Sequence, residues 1–224
     1  FFREFLAVAI NKLFFVFVLL YQNIIYFDTS ACTSYAACHS IEAQLNRFFK
    51  LGMLNIDEII RLESAGFIEN GKVVRLSKRH NAIKAGTNGG QIPNQFLGNY
   101  QSKSWDIARN VGVVPEKLCP YPRLQRTPVF KVEDYYNPEV ANTVDCKAAE
   151  TVFKSIFEVR YEVVPADDES LIKHIKQAPI GINVGVCPGW GTGDVPACSF
   201  TNGHLVKLYK IAPNERMSIE DSYQ

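Results

Sequence analysis

The segment DTSACTSYAACHSIEAQLNRFF, residues 28–49, predicts the helix around which we expect the fold to form. A polar cluster of the kind that caps helices, residues 28–30, is followed by apolar residues that recur at helical spacing. These apolar positions are Ile41, Leu45, Phe48 and Phe49. Gly52 is typical of a helix stop. Cys32 lies at the junction of cluster and helix, where it is either a nucleophile at a helix N-terminus or a buried thiol.

The composition is that of a soluble globular protein without a surface of one charge sign. The chain has 224 residues, of which 47% are hydrophobic and 21% are charged, and its formal net charge is +1. This length suits one large domain or two small lobes. Because the basic residues form no stripe, we expect no nucleic-acid partner.

Six cysteines are present, but no two of them form a C-x-x-C motif. A zinc ribbon or a thioredoxin motif is therefore not expected. The chain is also too long to need a disulfide framework. Cys187 and Cys198 flank a loop and would pair only in an oxidising compartment, which the sequence does not name.

The first 21 residues are strongly apolar, and the sequence leaves their role open. The longest uninterrupted apolar run, Leu13–Tyr21, is shorter than the ~20 residues that a membrane helix needs. No small-x-small cleavage site follows, so a buried helix or strand is favoured over a membrane contact or an export signal. Because residue 1 is not Met, we expect the chain to be a fragment of a longer reading frame.

Helices are expected in the first half of the chain. Asn55 is a candidate N-cap, Glu58 occupies the capping-box position, and Gly66 follows the expected end of the same helix. Residues 71–98 are rich in Gly, Asn and Lys and are typical of a loop. The expected helices are 32–52, 56–65 and 100–110.

Strands are expected after Pro128. IGINVGV (180–186) alternates large apolar residues with small or polar ones, as a half-buried strand does. The other expected strands are 130–136, 157–164 and 204–211, with helices near 138–155 and from Asp167 to the residue before Pro179. Helices early and strands late predict an α+β protein, with a helical lobe, a sheet or barrel lobe and a cleft between them.

Cys32 has the chemistry of a nucleophile if the helix begins beside it. A thiol attacks only as thiolate, and the unpaired N–H groups and partial positive charge of a helix N-terminus favour the anion. The partner base should be a histidine. His39 lies two turns along the same helix, too far to touch the sulfur, and His80 and His174 are expected on exposed segments. His204 begins a predicted strand and would point into the cleft.

A third group should hold the imidazole of His204 in place. Asp221 lies on the next strand-like segment and would reach the far ring nitrogen. Each residue also has a plainer interpretation. His204 would be a structural histidine, and Asp221 would be a turn residue in the segment EDS, residues 220–222. The residues alone leave both interpretations open.

Cys32, His204 and Asp221 together resemble the triad of a papain-like cysteine peptidase, of the divergent type found in bacteria and phages. The resemblance covers about residues 22–224, which leaves the apolar segment 1–21 outside it. It implies a papain-like two-lobed fold with the active-site cleft between the lobes. The implied lobes are a helical one over about 28–127 and a β-barrel-like one over about 128–224.

Five segments carry the resemblance, in the family's chain order. DTSACTSYAACHSIEAQLNRF is similar to the nucleophile helix, and ten residues separate Cys32 from Glu42, as in the family. GNYQSKSWDIARNVGVVPEKLCPY is similar to the substrate strand, the next helix and a closing tripeptide, which implies that Gly98, Asn99 and Tyr100 bind substrate.

The remaining three segments lead to the base and its partner. SLIKHIKQAPIGINV is similar to the helix and strand that precede the histidine. NGHLVKLYKI carries His204 into its strand, with Gly203 implied in substrate binding. IEDSYQ is similar to the family's Asn-Ser-Trp-Gly segment, with Asp221 at the Asn position.

The chain departs from the family pattern at several positions. The signature C-G-[SA]-C-[WY] is absent, Thr33 follows the nucleophile where Trp is usual, and Thr29 replaces a disulfide cysteine. Asp221 in place of Asn changes the charge but still orients an imidazole. A register with Tyr35 at the nucleophile position would make the protein inactive, and the ten-residue spacing described above favours Cys32 instead.

Two further assignments required a choice between candidates. Gln22 is the best match to the family's oxyanion-hole Gln, which acts together with the N–H of the nucleophile, although its spacing from Cys32 requires an insertion. Gly89 and Gly90 also resemble the Gly-Gly of the substrate strand, but the ungapped link to the following helix favours the segment that begins at Gly98.

The resemblance implies a cysteine endopeptidase with a Cys-His-Asp triad, a covalent acyl-enzyme, a protein or peptide substrate and no metal or cofactor. One alternative is an amidase or transferase that uses the same triad on peptidoglycan peptides. The other is a catalytically inactive binding module that kept the fold. The substrate, the oligomeric state and the compartment stay open.

Overall fold

The computed structural model describes residues 31–86, 99–121, 132–165, 167–185, 203–211 and 217–220. These residues form helices and two small antiparallel sheets. The helices are α1 (Cys32–Lys50), α2 (Ile56–Ser64), α3 (Lys78–Ala85), α4 (Gln101–Asn110), α5 (Val132–Tyr135), α6 (Val144–Ile156) and α7 (Asp168–Ile175). The strands are β1 (Ile68–Glu69), β2 (Lys72–Val73), β3 (Ile180–Gly185), β4 (Gly203–Ile211) and β5 (Met217–Glu220), and 3₁₀ turns lie at Glu116–Leu118 and Pro138–Ala141.

Helix α1 packs against both helices and strands. It contacts α3 and α4 among the helices and β2, β3 and β4 among the strands. The N-terminal half of α1 is buried, and its side chains are mostly small, which lets these neighbours approach its backbone closely. Gly52, with a φ of 63°, follows the last turn and confirms the predicted stop. The buried residues of α1 are Thr33, Ser34, Ala36, Ala37, Cys38, Ser40, Ile41 and Leu45.

The main hydrophobic core joins side chains of α1, α2, α4 and α6. At its centre the rings of Phe67 and Phe153 lie 5.9 Å apart, and Phe153 also packs against Phe157 at 5.2 Å. These aromatic pairs add to the burial of the aliphatic side chains around them. Helix α6 follows residue 128 in sequence, yet its buried residues belong to the same core as those of α1 and α2.

The ends of two helices follow the local signals in the sequence. In α2 the Asn55 side chain accepts from the Glu58 N–H, and the Glu58 carboxylate accepts from the Asn55 N–H, both at 2.9 Å. This confirms the predicted capping box. Gly66 follows with a φ of 79°. Helix α7 begins after Asp167, whose carboxylate accepts from the Ser170 N–H at 2.8 Å, as an N-cap does.

The C-terminal half of the chain forms a three-stranded antiparallel sheet in the order β3-β4-β5. Its register pairs Val184 with His204 and Lys207 with Glu220, and an irregularity interrupts the β4–β5 pairing after Leu208. Helices and this separate antiparallel sheet make the protein α+β, as predicted. The described strands do not close into a barrel.

The sequence leaves membrane contact through the apolar segment 1–21 open but does not favour it. No helix within the described ranges is long and apolar enough to cross a bilayer. The apolar segment 1–21, on which that expectation depended, lies outside these ranges.

Three sequence predictions are wrong where the structure describes the chain. Residues 78–85 of the expected loop form α3, because the Ser77 hydroxyl accepts from the His80 N–H at 2.9 Å and caps a helix. Residues 132–135 of the first expected strand form α5, and residues 157–164 form no strand. Aromatic and β-branched residues favour strands only where a pleated surface receives them. Tyr135 and Tyr136 instead bury their rings against each other, 5.0 Å apart.

The side chain of Arg79 holds three backbone carbonyl groups together. From α3 its guanidinium donates to the oxygens of Tyr135 (2.8 Å), Asp134 and Pro120 (3.2 Å), and it lies 5.7 Å from the Tyr135 ring. The side chain is buried, and its planar fork presents several donors at fixed angles. The two sides of the segment 122–131 are therefore fixed to one cation.

Gly112 should be far less tolerant of substitution than Gly52. Both have positive φ, 107° and 63°, but a Cβ at Gly112 would meet the Glu150 carbonyl oxygen at 2.9 Å, whereas one at Gly52 meets nothing within 4 Å. We expect Gly112→Ala to lower the free energy of unfolding by about 2–4 kcal/mol through strain and overpacking. Gly52→Ala should cost about 1 kcal/mol through strain alone. Urea unfolding measures both, and equal losses would contradict the close approach of α6 to Gly112.

Candidate functional site

Cys32 is the first residue of α1, which is the position that the sequence predicts for a nucleophile. The preceding residue, Ala31, has no polar side-chain atom to cap the helix, and its carbonyl accepts from the N–H groups of Ser34 (2.9 Å) and Tyr35 (3.1 Å). No acidic side chain lies in the first turn. Among the described residues no side chain caps this helix N-terminus, and its positive partial charge favours an anion at Cys32. Cys32 is a free thiol and is partly exposed.

A buried group of hydroxyls lies directly after Cys32. The Ser104 hydroxyl of α4 donates to Thr33 Oγ1 at 2.9 Å and lies 3.2 Å from Ser34 Oγ. The Asn81 side chain of α3 donates to the Ser104 carbonyl at 3.0 Å, and its own Oδ1 has no partner among the described residues. All four side chains are buried. The first turn of α1 is therefore fixed to two helices by polar contacts as well as by packing.

Sequence reasoning did not identify Ser104 or Asn81. One signal was available for Ser104. It lies four residues before Ala108, and these two are the buried residues of α4. A serine on the buried face of a helix needs a hydrogen-bonding partner, which in this fold is supplied by α1.

His204 is buried at the second position of β4. It lies on the same face of the strand as Val206 and Leu208, which are also buried. Gly203 begins the strand and pairs with Gly185, and His204 pairs with Val184. Because β4 contacts α1, the structure brings the elements that carry Cys32 and His204 together.

Side chains of α1 and α4 bind backbone carbonyls beside the sheet. In the C-terminal half of α1, Gln44 and Arg47 donate to the Gln177 carbonyl at 3.3 and 2.8 Å, three residues before β3 begins. In the first turn of α4, Gln101 donates to the Gly181 carbonyl of β3 at 3.0 Å. The helical part and the sheet are thus connected by hydrogen bonds at two separate places.

Asn99 and Tyr100, two of the expected substrate-binding residues, form the approach to α4. Asn99 donates through its side chain to the Gly86 carbonyl at 2.8 Å and accepts from the Tyr100 N–H at 2.9 Å. Tyr100 has extended backbone angles (φ −72°, ψ 140°) and is 66% exposed. Neither residue belongs to a strand, so β-pairing with a peptide is not formed in advance.

The other expected site residues lie outside the described residues. These are Gln22, Gly98 and Asp221. The alternative glycine pair, Gly89 and Gly90, and the loop cysteines Cys187 and Cys198 lie outside them too. The last described residue before Asp221 is Glu220, which ends β5 and pairs with Lys207 of β4.

His80 differs from its expected place on a solvated loop. It is fully buried in α3, and its Nε2 lies 2.8 Å from Glu150 Oε1, which also lies 3.2 Å from Lys84 Nζ. Partial burial raises the pKa of the Glu150 carboxyl, but the contacts with His80 and Lys84 outweigh it and leave that pKa below its usual value. His80 is thus a structural histidine that joins α3 to α6.

The two remaining histidines have contacts that fit structural roles. His39 packs edge-on against Tyr35 within α1, with ring centroids 6.0 Å apart. His174 is partly buried in α7 instead of fully exposed, and its Nδ1 lies 2.7 Å from the Ser170 carbonyl oxygen. Of the four histidines, His204 alone lies on a strand that contacts α1.

The free cysteines at 38, 119 and 146 are buried, whereas the free thiol of Cys32 is partly exposed. Burial raises the pKa of the Cys38 thiol to about 12, and its Sγ lies 3.7 Å from the Ser77 carbonyl oxygen. Burial also raises the pKa of Cys119. Within the described part of the chain, no three or more His, Cys, Asp or Glu side chains group in a way that could hold a metal ion.

Comparisons with known proteins do not assign the chain to a family. No protein-family model, no curated protein and no solved structure matches it. The roles of the site residues therefore depend on the sequence resemblance and on the geometry described above.

Iodoacetamide should distinguish Cys32 from Cys38 in the folded protein near neutral pH. Cys38 is buried and, with a pKa of about 12, protonated, whereas Cys32 is partly exposed at a helix N-terminus. We expect rapid labelling of Cys32 and none of Cys38, measured by mass mapping after a brief exposure. Both should react in concentrated urea, which serves as the control. Labelling of Cys38 at the rate of Cys32 without urea would contradict the burial of Cys38.

Proposed function

We propose that this protein is a papain-like cysteine endopeptidase, with Cys32 as the nucleophile and His204 as the general base. The observation that carries the proposal is that α1, which begins at Cys32, packs against β4, whose second residue is His204. A partly exposed thiol at a helix N-terminus, with a histidine on an adjoining strand, is what thiol catalysis requires.

The architecture supports the two-lobed, papain-like fold of this proposal. Helices α1, α2, α4 and α6 share one hydrophobic core, whereas β3, β4 and β5 form a separate sheet. Helix α1 contacts both parts. In the proposed fold the N-terminus of α1 and the start of β4 face each other across a cleft, where a peptide would bind.

The dimensions of the elements support the pairing of Cys32 with His204. Gln44 fixes the C-terminal half of α1 beside Gln177. From Gln44 back to Cys32, α1 extends roughly 18 Å at ~1.5 Å per residue. From Gln177 to Val184, the cross-strand partner of His204, an extended chain covers at most roughly 23 Å at ~3.3 Å per residue. These similar lengths favour Cys32 and His204 at the same end of the α1–sheet contact.

The proposed reaction is peptide hydrolysis through a thioester. His204 takes the proton of the Cys32 thiol, and the sulfur attacks the carbonyl carbon of the peptide bond. The carbon–nitrogen bond breaks, and His204 returns the proton to the leaving amine. Water, deprotonated by His204, then attacks the thioester and releases a carboxylic acid and the free thiol. No metal or cofactor takes part.

Two residues outside the described ranges complete the proposed mechanism. Asp221 orients the imidazole of His204 and stabilises its cation. Its sequence neighbour Glu220 pairs with the strand of His204, which favours this role. The side chain of Gln22, together with the Cys32 N–H, stabilises the oxyanion, and one such donor is worth roughly 3–4 kcal/mol in comparable hydrolases.

The proposed substrate is an extended peptide that runs past Asn99, Tyr100 and Gly203. Tyr100 has extended backbone angles and a largely exposed side chain, which suit contact with a peptide. Gly203 lies next to His204 and has no side chain to block a peptide near the base. Gly98 completes this surface in the proposal.

Cys32→Ala should abolish peptide hydrolysis without unfolding the protein. Loss of the nucleophile removes the covalent pathway and should lower kcat by about 10³-fold or more. Casein hydrolysis measures activity, and urea unfolding shows whether the fold is kept. The matched control is Cys146→Ala, which removes a thiol of the helical core, should lower the unfolding free energy and should keep kcat. An active Cys32→Ala enzyme would contradict the proposal.

Alkylation of Cys32 tests the base independently of any substrate. We expect the rate to persist at mildly acid pH in the wild type and to collapse there in His204→Ala, because the imidazolium stabilises the thiolate. The rate profile of an ordinary thiol in both proteins would favour an inactive binding module instead. Alkylation as expected, with turnover of peptidoglycan peptides but not of casein, would indicate the amidase or transferase.

A further inference from the structure

We infer that the first turn of α4 is the positioning element that sets Cys32 against His204, with Gln101 and Ser104 as its two contacts. This inference rests on the proposed function and adds to it two residues that touch no reacting atom. Gln101 and Ser104 lie three positions apart, on the same side of the helix. One binds the part of the fold that carries the base, and the other binds the part that carries the nucleophile.

The contact on the nucleophile side is made by Ser104. Its hydroxyl donates to Thr33 Oγ1 at 2.9 Å and lies 3.2 Å from Ser34 Oγ. Thr33 and Ser34 directly follow Cys32, so their side chains fix the rotation and height of the first turn of α1. The Ser104 hydroxyl is fully buried, and a buried hydroxyl without a partner costs roughly 1–3 kcal/mol. The first turn of α1 therefore moves away from α4 only at that cost.

The contact on the base side is made by Gln101. Its side chain donates to the Gly181 carbonyl of β3 at 3.0 Å. Gly181 lies three residues before Val184, the cross-strand partner of His204, which is roughly 10 Å along the strand. The strand is stiff over this length because its backbone pairs with β4 at every residue between them. A displacement of Gln101 would therefore shift His204 as well.

Helix α4 is rigid between the two contacts. Residues 101 and 104 are separated by less than one turn, and the Asn81 side chain holds the Ser104 carbonyl at 3.0 Å. A thiol and its base must meet within hydrogen-bonding distance, and an error of about 1 Å in such a site lowers the rate by about 10²-fold. A single turn of helix that binds both sides is a direct way to control this distance.

The chain supplies a matched control for Gln101. Gln44 makes the same kind of hydrogen bond, from a glutamine amide to a backbone carbonyl beside the sheet, at 3.3 Å. It does so at the C-terminal half of α1, three turns away from Cys32. Gln44→Ala and Gln101→Ala each remove one bond from a glutamine amide to a backbone carbonyl, and Arg47 still donates to the Gln177 carbonyl at 2.8 Å after the first change. Both side chains are only partly buried, so both variants should fold.

The experiment compares these two variants by Cys32 alkylation against pH and by kcat and KM on casein. We expect Gln101→Ala to reduce the alkylation rate at mildly acid pH, and kcat, by about 10-fold or more. KM should change by less than about 2-fold, since Gln101 binds no substrate. Gln44→Ala should leave all three quantities within about 2-fold of wild type, because its bond lies three turns from Cys32.

A second pair of variants tests the Ser104 side of the contact. Thr33→Val keeps the shape of the side chain but removes the acceptor of the Ser104 hydroxyl, whereas Thr33→Ser keeps the acceptor. We expect Thr33→Val to lower the alkylation rate at mildly acid pH as Gln101→Ala does, and Thr33→Ser to retain most of it. Because alkylation needs no substrate, this readout does not depend on which peptide is cleaved.

The set of results distinguishes failure of this inference from failure of the proposed function. Wild-type alkylation that follows an ordinary thiol overturns the proposed function and the inference together. In a second outcome, the wild type shows the thiolate–imidazolium profile while Gln101→Ala and Gln44→Ala change it equally, or not at all. That result overturns the inference and leaves the proposed function standing. The predicted profile in wild type, with loss in Gln101→Ala and Thr33→Val alone, supports both.

Discussion

The burial of the first turns of α1 among α3, α4 and β4 is the constraint on which the rest of the structure depends. A helix surrounded in this way has room only for small side chains, and any polar atom among them needs a partner. Both conditions are met, because the buried side chains of these turns are mainly alanines and hydroxyls. The Thr33 and Ser34 hydroxyls lie within hydrogen-bonding distance of Ser104, and the Ser40 hydroxyl donates to the Ala36 carbonyl at 2.8 Å. The Glu42 carboxylate extends the same pattern by accepting from the Leu76 N–H at 2.7 Å and pairing with Lys78 at 2.6 Å.

Much of the fold follows from local signals. The capping box of α2 and the N-cap of α7 appear as single residues at fixed offsets, and β3 and β4 appear as alternating or apolar runs. Helices α3 and α5 could not be found in this way. Residues 78–85 carry little apolar periodicity, and Tyr135 and Tyr136 favour a strand by composition. Their structures depend on contacts with distant residues, such as Glu150 for His80 and Arg79 for Tyr135.

The candidate site shows the same contrast between local sequence signals and contacts with distant residues. Cys32 and His204 became candidates because each carries a local signal, a cap-like cluster before a helix for Cys32 and a glycine before a strand for His204. The contacts that hold their elements together carry none. Gln101 binds Gly181 across 80 residues of sequence, and Ser104 binds Thr33 across 71. Nothing near either residue in the sequence indicates its partner. Side-chain contacts over such separations become visible only once the fold is known.

Arg79 has a consequence for how this chain tolerates change in length. Its guanidinium holds the carbonyl of Pro120 and those of Asp134 and Tyr135, so it closes the intervening chain into a ring in the way that a disulfide would, without a covalent bond. The entropy cost of closing a flexible loop grows only logarithmically with its length, by about 0.6 kcal/mol for each doubling. The cost of holding these carbonyls together should therefore depend only weakly on the number of residues between Pro120 and Asp134.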